Sequence, residues 1–113
     1  MTRKSILVVD DDVSIRKALA KALEREGYLV TAVKSVAEAA AVAKDAGFHL
    51  LLCDLQLPDG NGLQLIKQLR QANAELASIV ITGNATVDSA IQATKEGVFH
   101  YVTKPFNIDE VLI

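Results

Sequence analysis

The sequence has little cysteine, few aromatic residues and almost no net charge. Cys53 is the one cysteine among 113 residues, so an intrachain disulfide is excluded and cysteine alone cannot build a zinc site. Aromatic residues make up only 4%, so the core must come from Val, Ile, Leu and Ala. Twelve Lys and Arg against fourteen Asp and Glu give a net charge of −2, which argues against a general nucleic-acid-binding surface.

Long hydrophobic runs are also absent. The longest are short, as at Leu50–Cys53, so no membrane-spanning helix is predicted. The opening MTRKSILVVDDD lacks a long apolar region before its first acids and does not resemble a secretory signal. We therefore expect a cytoplasmic protein with no membrane partner. Half of the residues are hydrophobic, which suits one ordered domain over residues 1–113 with its own core.

Five short apolar segments alternate with segments of helical periodicity. Continuous runs such as residues 6–9 are typical of strands buried on both faces. Strands are predicted over residues 6–9, 28–33, 48–53, 78–81 and 98–103, with a helix after each. The last helix, beginning after Asn107, has barely begun at residue 113. This alternation predicts right-handed crossovers and a parallel α/β sheet with helices on both faces.

Local signals predict where helices and turns lie. Gly27 is typical of a left-handed helix stop. In the loop over residues 57–62, we expect Pro58 to set φ, and Gly60 and Gly62 to permit positive φ. Helix caps are predicted at Asp12, Ser35 with Glu38 as a capping box, Thr86, and Asn107 with Glu110.

Acidic, hydroxyl or lysine side chains that suit a common site follow four of the five predicted strands, whereas the second strand is followed only by Lys34 and Ser35. In doubly wound α/β folds, ligands bind beyond the carboxyl ends of the strands. Crowded carboxylates repel one another unless they are protonated or neutralised by a cation such as Mg²⁺. A lysine and a hydroxyl there suit the oxygens of a phosphoryl group. The set predicts a Mg²⁺-dependent phosphoryl site with a carboxylate as candidate acceptor, formed by Asp10, Asp11, Asp12, Asp54, Thr82 and Lys104.

Each of these residues alone also has a simpler explanation. An acidic run in a loop is usually solvated surface, and helix capping is our preferred role for Asp12. Asp54 alone suits a cap, Thr82 a turn, and Lys104 an exposed position. Their coincidence at four strand ends favours the site. Outside it, we expect Cys53 to be buried and inert, His49 and His100 to be surface or edge residues, and Tyr101 to be either core or surface.

Four motifs together resemble the receiver domain of two-component response regulators. They are VVDDD at 8–12, LLLCDLQLPDGNGL at 50–63, VITG at 80–83 and YVTKPF at 101–106. They occur in order over essentially the whole chain. The resemblance implies a flavodoxin-like (CheY-like) five-stranded parallel sheet of order 2-1-3-4-5 with a truncated fifth helix.

The resemblance assigns the acceptor and the metal ligands. Asp54 corresponds to the phosphorylated aspartate. Asp10 and Asp11 match the acidic pair that holds Mg²⁺, or Mn²⁺ as the alternative ion. Of the two, the resemblance favours Asp11 as the residue that contacts the ion directly. The backbone carbonyl of Gln56 completes the metal shell with Asp54. Gln56 and Asn84 occupy the variable positions that modulate the lifetime of the phosphate.

The resemblance also assigns a switch. Lys104 matches the lysine that pairs with the phosphoryl group, and the Lys104–Pro105 bond is cis in this family. Thr82 and Tyr101 match the pair in which the hydroxyl moves to the phosphate and the ring turns inward. The face made by the fourth helix, fifth strand and fifth helix then favours a partner or a second copy of the domain.

The implied protein is a signalling module and catalyses at most its own phosphorylation and dephosphorylation. A sensor histidine kinase or phosphotransfer protein supplies the phosphoryl group, and the chain forms the N-terminal part of a longer regulator with an output domain. The segment from Thr86 to Glu110 resembles receivers of sigma-54 activator ATPases, and LPDGNGL with ITG resembles receivers of small Fis-type regulators. His100 replaces the acid that winged-helix regulators usually carry.

Two other functions compete with phosphorelay signalling. Asp10, Asp11 and Asp12 superficially form the Asp-x-Asp pattern of a Mg²⁺-dependent phosphohydrolase. Such enzymes need further acids late in the chain, and only Asp109 and Glu110 follow Lys104. The other alternative is a degenerate receiver that acts only as a docking module, although the complete set of acceptor, metal and switch residues argues against it.

Overall fold

A computed structural model describes residues 3–45 and 47–112. Its main sheet has five strands: β1 (Ser5–Val9), β2 (Leu29–Val33), β3 (Leu50–Cys53), β4 (Ala77–Thr82) and β5 (His100–Thr103). All neighbouring strands are parallel, in the order β2-β1-β3-β4-β5. The predicted flavodoxin-like order 2-1-3-4-5 is confirmed.

Five helices connect or follow these strands: α1 (Val13–Arg25), α2 (Val36–Asp45), α3 (Gly62–Ala72), α4 (Val87–Lys95) and α5 (Ile108–Leu112). Within the described ranges, no helix combines the length and the apolar character needed to cross a bilayer. The order of the strands and helices along the chain alternates as the apolar periodicity predicts.

The sheet buries both of its faces because alternate side chains of each strand point to opposite sides. On one face, Leu7, Leu51 and Val80 form a core with Leu65 and Ile66 of α3. On the other face, the core consists of Ile6, Val8, Leu52, Ile79 and Ile81 from the sheet with Leu19, Leu23 and Val111 from α1 and α5. Strands covered on both sides in this way require the uninterrupted apolar runs seen in the sequence.

The predicted helix caps are present, with one difference in detail. Asp12 accepts hydrogen bonds from the amides of Ser14 and Ile15 at the start of α1, at 2.8 and 3.3 Å. The hydroxyl of Ser35 accepts from the amide of Glu38 at 3.2 Å. The Glu38 carboxylate, however, accepts from the amide of Lys34 at 3.0 Å, one residue before the amide that a capping box would use.

Three strands begin later than predicted. Tyr28 and Val98 precede β2 and β5, because their amides donate to the carbonyls of Leu23 and Ala93 at the ends of α1 and α4. Phe48 likewise precedes β3 and is buried in the core. Apolar character alone does not separate a residue that closes a helix from the first residue of the following strand.

The loop between β3 and α3 differs from the prediction for its glycines. Gln56–Leu57 pairs with Gly60–Asn61 in a short antiparallel ladder, and neither Gly60 nor Gly62 has positive φ. Positive φ occurs instead at Gly27, as predicted, and at Gly97. Gly62 is needed for another reason: a Cβ there would lie 2.0 Å from the Asp54 carbonyl oxygen. The helix α3 therefore begins directly against the backbone of Asp54.

Replacing Ser78 by Ala should stabilise the protein. Ser78 lies in β4, fully buried, and its hydroxyl has no hydrogen-bond partner among the described residues. Removing a buried, unpaired hydroxyl should raise the free energy of unfolding by up to about 1 kcal/mol, measured by urea denaturation. Ser89→Ala is the matched control and should lower it, because the Ser89 hydroxyl is hydrogen bonded to the backbone of Thr86 and to the hydroxyl of Tyr101. A lower urea midpoint for Ser78→Ala would contradict the prediction.

Candidate functional site

Backbone hydrogen bonds place three of the predicted site residues at one edge of the sheet. The amide of Asp10 donates to the Val33 carbonyl at 3.1 Å, and that of Asp54 donates to Val9 at 3.0 Å. The amide of Lys104 donates to the Thr82 carbonyl at 2.8 Å. Each residue thus continues the ladder of its own strand by one bond, so its side chain begins at the carboxyl edge.

The Lys104 side chain bridges two buried carboxylates. Its ammonium Nζ lies 2.8 Å from Asp10 Oδ2 and 2.9 Å from Asp54 Oδ2. Asp10 and Asp54 are only 2% and 6% exposed, so both carboxylates are largely removed from water. An ion pair under these conditions must be well aligned to offset the loss of hydration. The structure therefore brings together Asp10, Asp54 and Lys104 from three separate strands.

The remaining carboxylate oxygens bond to nearby backbone amides. Asp10 Oδ1 accepts from the amide of Asp12 at 2.9 Å, and Asp54 Oδ1 accepts from the amide of Gln56 at 3.1 Å. The Arg16 guanidinium of α1 donates to the Asp10 carbonyl at 2.7 Å. Each buried carboxylate is thus held at one oxygen by an amide and at the other by Lys104.

Burial and hydrogen bonding shift the pKa values of this group. Burial raises the pKa of Asp10, although hydrogen bonds from Lys104 and from the amide of Asp12 oppose the increase. Burial also tends to lower the pKa of Lys104, but its hydrogen bonds to Asp10 and Asp54 outweigh that effect and raise it. Lys104 therefore stays charged, while the neighbouring charge of Asp54 adds to the cost of ionising Asp10.

The acidic cluster fits a hard divalent cation. Asp10, Asp11 and Asp54 each offer a carboxylate oxygen, and these oxygens lie within 4.8 Å of one another. Asp11 is exposed, whereas the other two are buried. One ammonium cannot neutralise three carboxylates, and an all-oxygen donor set is the one that Mg²⁺ prefers.

The predicted switch residues have separate hydrogen-bond partners. Thr82 is fully buried, and its Oγ1 accepts from the amide of Asn84 at 3.1 Å. Tyr101 is half-buried beside the core, and its hydroxyl lies 2.7 Å from the Ser89 Oγ of α4. Ser89 also forms the reciprocal capping box with Thr86. The ring of Tyr101 is therefore linked to the start of α4.

A shallow groove over the acceptor contains the other predicted residues. Gln56 and Asn84 are exposed on its sides, and the Lys104–Pro105 peptide bond is cis. The groove is lined by Asp11, Asp54, Gln56, Leu57, Pro58, Thr82, Gly83, Asn84 and Lys104. Asp54, Thr82 and Lys104 therefore line one groove at the carboxyl edge of the sheet.

The cysteine, the histidines and the late acids that we expect outside the site also lie outside it in the structure. Cys53 is buried, and burial raises the pKa of its thiol, which keeps it protonated and inert. His49 and His100 are exposed. Asp109 and Glu110 are exposed on α5, outside the acidic cluster found in the described residues. The late acids that a phosphohydrolase requires are therefore not brought to this site.

Three residues with direct structural roles near the site were not predicted from the sequence: Arg16, Ser89 and Asp59. Arg16 contacts the Asp10 backbone, and Ser89 bonds to Tyr101. Arg16 and Ser89 follow the caps Asp12 and Thr86 by four and three residues, in helices that start at the carboxyl edge of the sheet. Asp59 lies in the predicted loop over residues 57–62, and no local sequence pattern indicates that it contacts α2.

Comparisons with known proteins agree with this geometry. Residues 6–113 match the response regulator receiver domain family. The chain is 38% identical over 108 residues to the photosynthetic apparatus regulatory protein RegA of Cereibacter sphaeroides, covering 96% of this chain and 59% of RegA. It is 38% identical over 112 residues to the DNA-binding transcriptional regulator NtrC of Escherichia coli, covering 99% of this chain and 24% of NtrC. The chain thus spans less than two thirds of either relative.

A solved structure is also similar to this chain. The chain superimposes on a response regulator protein from Burkholderia pseudomallei with a TM-score of 0.90 and 36% identity, covering 96% of this chain and 64% of that one. That crystal structure contains a phosphorylated aspartic acid, a calcium ion and citrate. The resemblance to response regulator receivers that the motifs predicted is confirmed, and a sigma-54 activator is among the relatives.

Replacing Asp10 by Asn should stabilise the metal-free protein at neutral pH. The single amide oxygen of Asn can accept either from Lys104 or from the amide of Asp12, and Lys104 keeps its bond to Asp54. Because burial raises the pKa of Asp10, its charge costs stability above that pKa, and removing it should add on the order of 1 kcal/mol.

This gain should shrink as the pH falls through the raised pKa, because the native Asp10 is then protonated in the folded state. Urea unfolding in the presence of a chelator, from neutral to acidic pH, measures both effects. Asp11→Asn, at an exposed position, should change stability less. A loss of stability by Asp10→Asn that persists in acid would contradict the prediction.

Proposed function

This chain belongs to the response regulator receiver domain family, and on that premise we propose that Asp54 is its phosphoryl acceptor. The observation that carries the proposal is the bridge from Lys104 to Asp54 beside two further carboxylates at one strand edge. A sensor histidine kinase or a phosphotransfer protein supplies the phosphoryl group as a phosphohistidine. The phosphorylated aspartate in the Burkholderia relative supports this assignment.

The transfer forms a bond between an Asp54 carboxylate oxygen and phosphorus as the phosphorus–nitrogen bond of the donor breaks. The electron pair of that bond returns to the imidazole of the donor. The Gln56 amide, bonded to Asp54 Oδ1, fixes the orientation of the carboxylate before the reaction. Little covalent chemistry falls to the protein, so orientation and charge stabilisation supply most of the rate.

The acidic cluster would hold Mg²⁺ through Asp10, Asp11, Asp54 and the backbone carbonyl of Gln56. When bound, the ion would offset the negative charge of the transferring group. Asp11 is the exposed member of the cluster and would offer its carboxylate to the ion from the solvent side. The set of oxygen ligands supports Mg²⁺, with Mn²⁺ as the alternative.

Phosphorylation would redistribute the hydrogen bonds around the acceptor. The product adds about −1.5 to −2 charges at the strand edge. We propose that Lys104 exchanges its bond to Asp54 for a phosphoryl oxygen, and that Thr82 turns its hydroxyl to another. Thr82 bonds to the Asn84 amide, so the loop before α4 would follow. Tyr101, bonded to Ser89, would transmit the change to the face made by α4, β5 and α5.

That face would bind an output domain, another protein or a second copy of the receiver. The greater length of RegA and NtrC supports a role within a longer regulator that controls transcription. We propose that the exchange takes place in the cytoplasm, that Gln56 and Asn84 set the lifetime of the phosphate, and that the domain itself contacts neither DNA nor a membrane. It performs its own phosphorylation and dephosphorylation and no other turnover.

Acetyl phosphate with Mg²⁺ should add one phosphoryl group to the chain, on Asp54. Asp54→Asn should take up none, because an amide is not a nucleophile for phosphorus, and a chelator should prevent the reaction in the native chain. Intact-mass spectrometry and peptide mapping measure both results. Asp109→Asn, an exposed aspartate on α5, is the matched control and should react normally. Undiminished uptake by Asp54→Asn would refute the assignment.

Replacing Asp11 by Asn should weaken Mg²⁺ binding by about tenfold or more, because it removes a charged ligand from the cluster. The fold should be unaffected, since Asp11 is exposed. Calorimetric titration with Mg²⁺ measures the affinity. Asp12→Asn is the matched control, because asparagine also caps helices and Asp12 lies outside the cluster. Equal affinities for the two variants would rule out Asp11 as a ligand.

A further inference from the structure

The carboxylate of Asp59 connects its loop to the start of α2, and its two hydrogen-bond partners there precede it by 23 and 22 residues. Its Oδ1 accepts from the amide of Val36 at 2.8 Å, and its Oδ2 accepts from the amide of Ala37 at 3.0 Å. These are the first two amides of α2, and a helix leaves such amides without internal partners. The two bonds lower the pKa of Asp59, which is therefore ionised at neutral pH.

The helix α2 also has a local cap that does not involve Asp59. Ser35 Oγ accepts from the amide of Glu38, and the Glu38 carboxylate accepts from the amide of Lys34. Residues next to the N-terminus of α2 therefore already cap this helix. The contact with Asp59 adds a connection to the loop that follows the acceptor.

That loop behaves as one short, braced unit. Gln56 and Leu57 pair with Asn61 and Gly60, so Asp59 lies at the tip of a ladder whose other end carries Gln56. A Cβ on Gly60 would lie 3.2 Å from a methyl group of Val36, so the tip rests against the start of α2. Leu57, on the inner side, is buried in the core.

The other end of this unit contacts the acceptor directly. The amide of Gln56 donates to Asp54 Oδ1 at 3.1 Å, and the Gln56 carbonyl belongs to the proposed metal shell. We propose that Asp59 is a positioning residue for phosphoryl transfer, which anchors the loop on α2 so that Gln56 keeps its place against Asp54. The proposal rests on the proposed function for its consequence, but the anchoring itself does not.

Asp59→Ala should loosen the loop without unfolding the chain. Because the ladder loses its anchor on α2, the Gln56 amide should exchange with solvent faster in the metal-free protein, measured by hydrogen exchange and NMR. The affinity for Mg²⁺ should fall by about threefold or more. Phosphorylation by acetyl phosphate should slow at limiting Mg²⁺ and recover at saturating Mg²⁺, since the acceptor is intact.

Ser35→Ala is the matched control, because it removes one capping bond of α2 and leaves the loop alone. It should lower thermal stability with no change in exchange at Gln56 or in Mg²⁺ affinity. Asp59→Asn, which keeps one acceptor oxygen, should fall between the native chain and Asp59→Ala. This ranking separates anchoring of the loop from simple capping of the helix.

Unchanged exchange at Gln56 in Asp59→Ala would overturn the proposal, whether or not the native chain is phosphorylated. Parallel losses in Ser35→Ala and Asp59→Ala would also overturn it, because they would assign the effect to helix capping. Failure of the native chain to bind Mg²⁺ or to take up phosphate would instead refute the proposed function, and the exchange measurement would still decide the anchoring.

Discussion

The structure of the site depends on one ammonium group that must reach two buried carboxylates. Lys104 follows β5, whereas Asp54 and Asp10 follow β3 and β1, so the side chain has to extend past β4. A long, flexible lysine stem allows this, and its compact charge has donors for both carboxylates. The requirement ties the chemistry to the strand order, because exchanging β4 and β5 would change the distance that Lys104 must span.

The same interaction leaves the site unbalanced in charge. Three carboxylates face one ammonium, so the group retains negative charge and attracts a cation. Without a cation, the bond from Lys104 keeps the Asp54 carboxylate oriented. Burial strengthens each of these terms by lowering the local dielectric constant. A phosphoryl group on Asp54 would compete with Asp10 for the same ammonium. The bridge is therefore a bond that the proposed chemistry must rearrange.

The sequence predicts well what depends on local pattern or on a general property of parallel sheets. The apolar runs indicate the strands, and the carboxyl ends of parallel strands meet at one edge of the sheet. The sequence therefore predicts that Asp10, Asp54 and Lys104 lie close together. Contacts between distant segments gave no such signal: the bonds from Asp59 to α2 depend on how the loop folds back. The prediction of positive φ at Gly62 is likewise wrong: the glycine is required because α3 approaches the Asp54 backbone closely, a contact that no local sequence pattern indicates.

Hydrogen bonds extend from the acceptor region in two directions, and they differ in how they respond to charge. Toward α2, the path from Asp54 runs through the Gln56 amide and the short ladder to Asp59, and every link is a backbone pairing or a carboxylate on backbone amides. Toward α4, side-chain hydroxyls are involved: Thr82 on the Asn84 amide and Tyr101 on Ser89. Hydroxyl groups reorient easily, whereas ladders do not. We therefore expect a new charge at Asp54 to cause little movement on the α2 side and to change the hydrogen bonds on the α4 side.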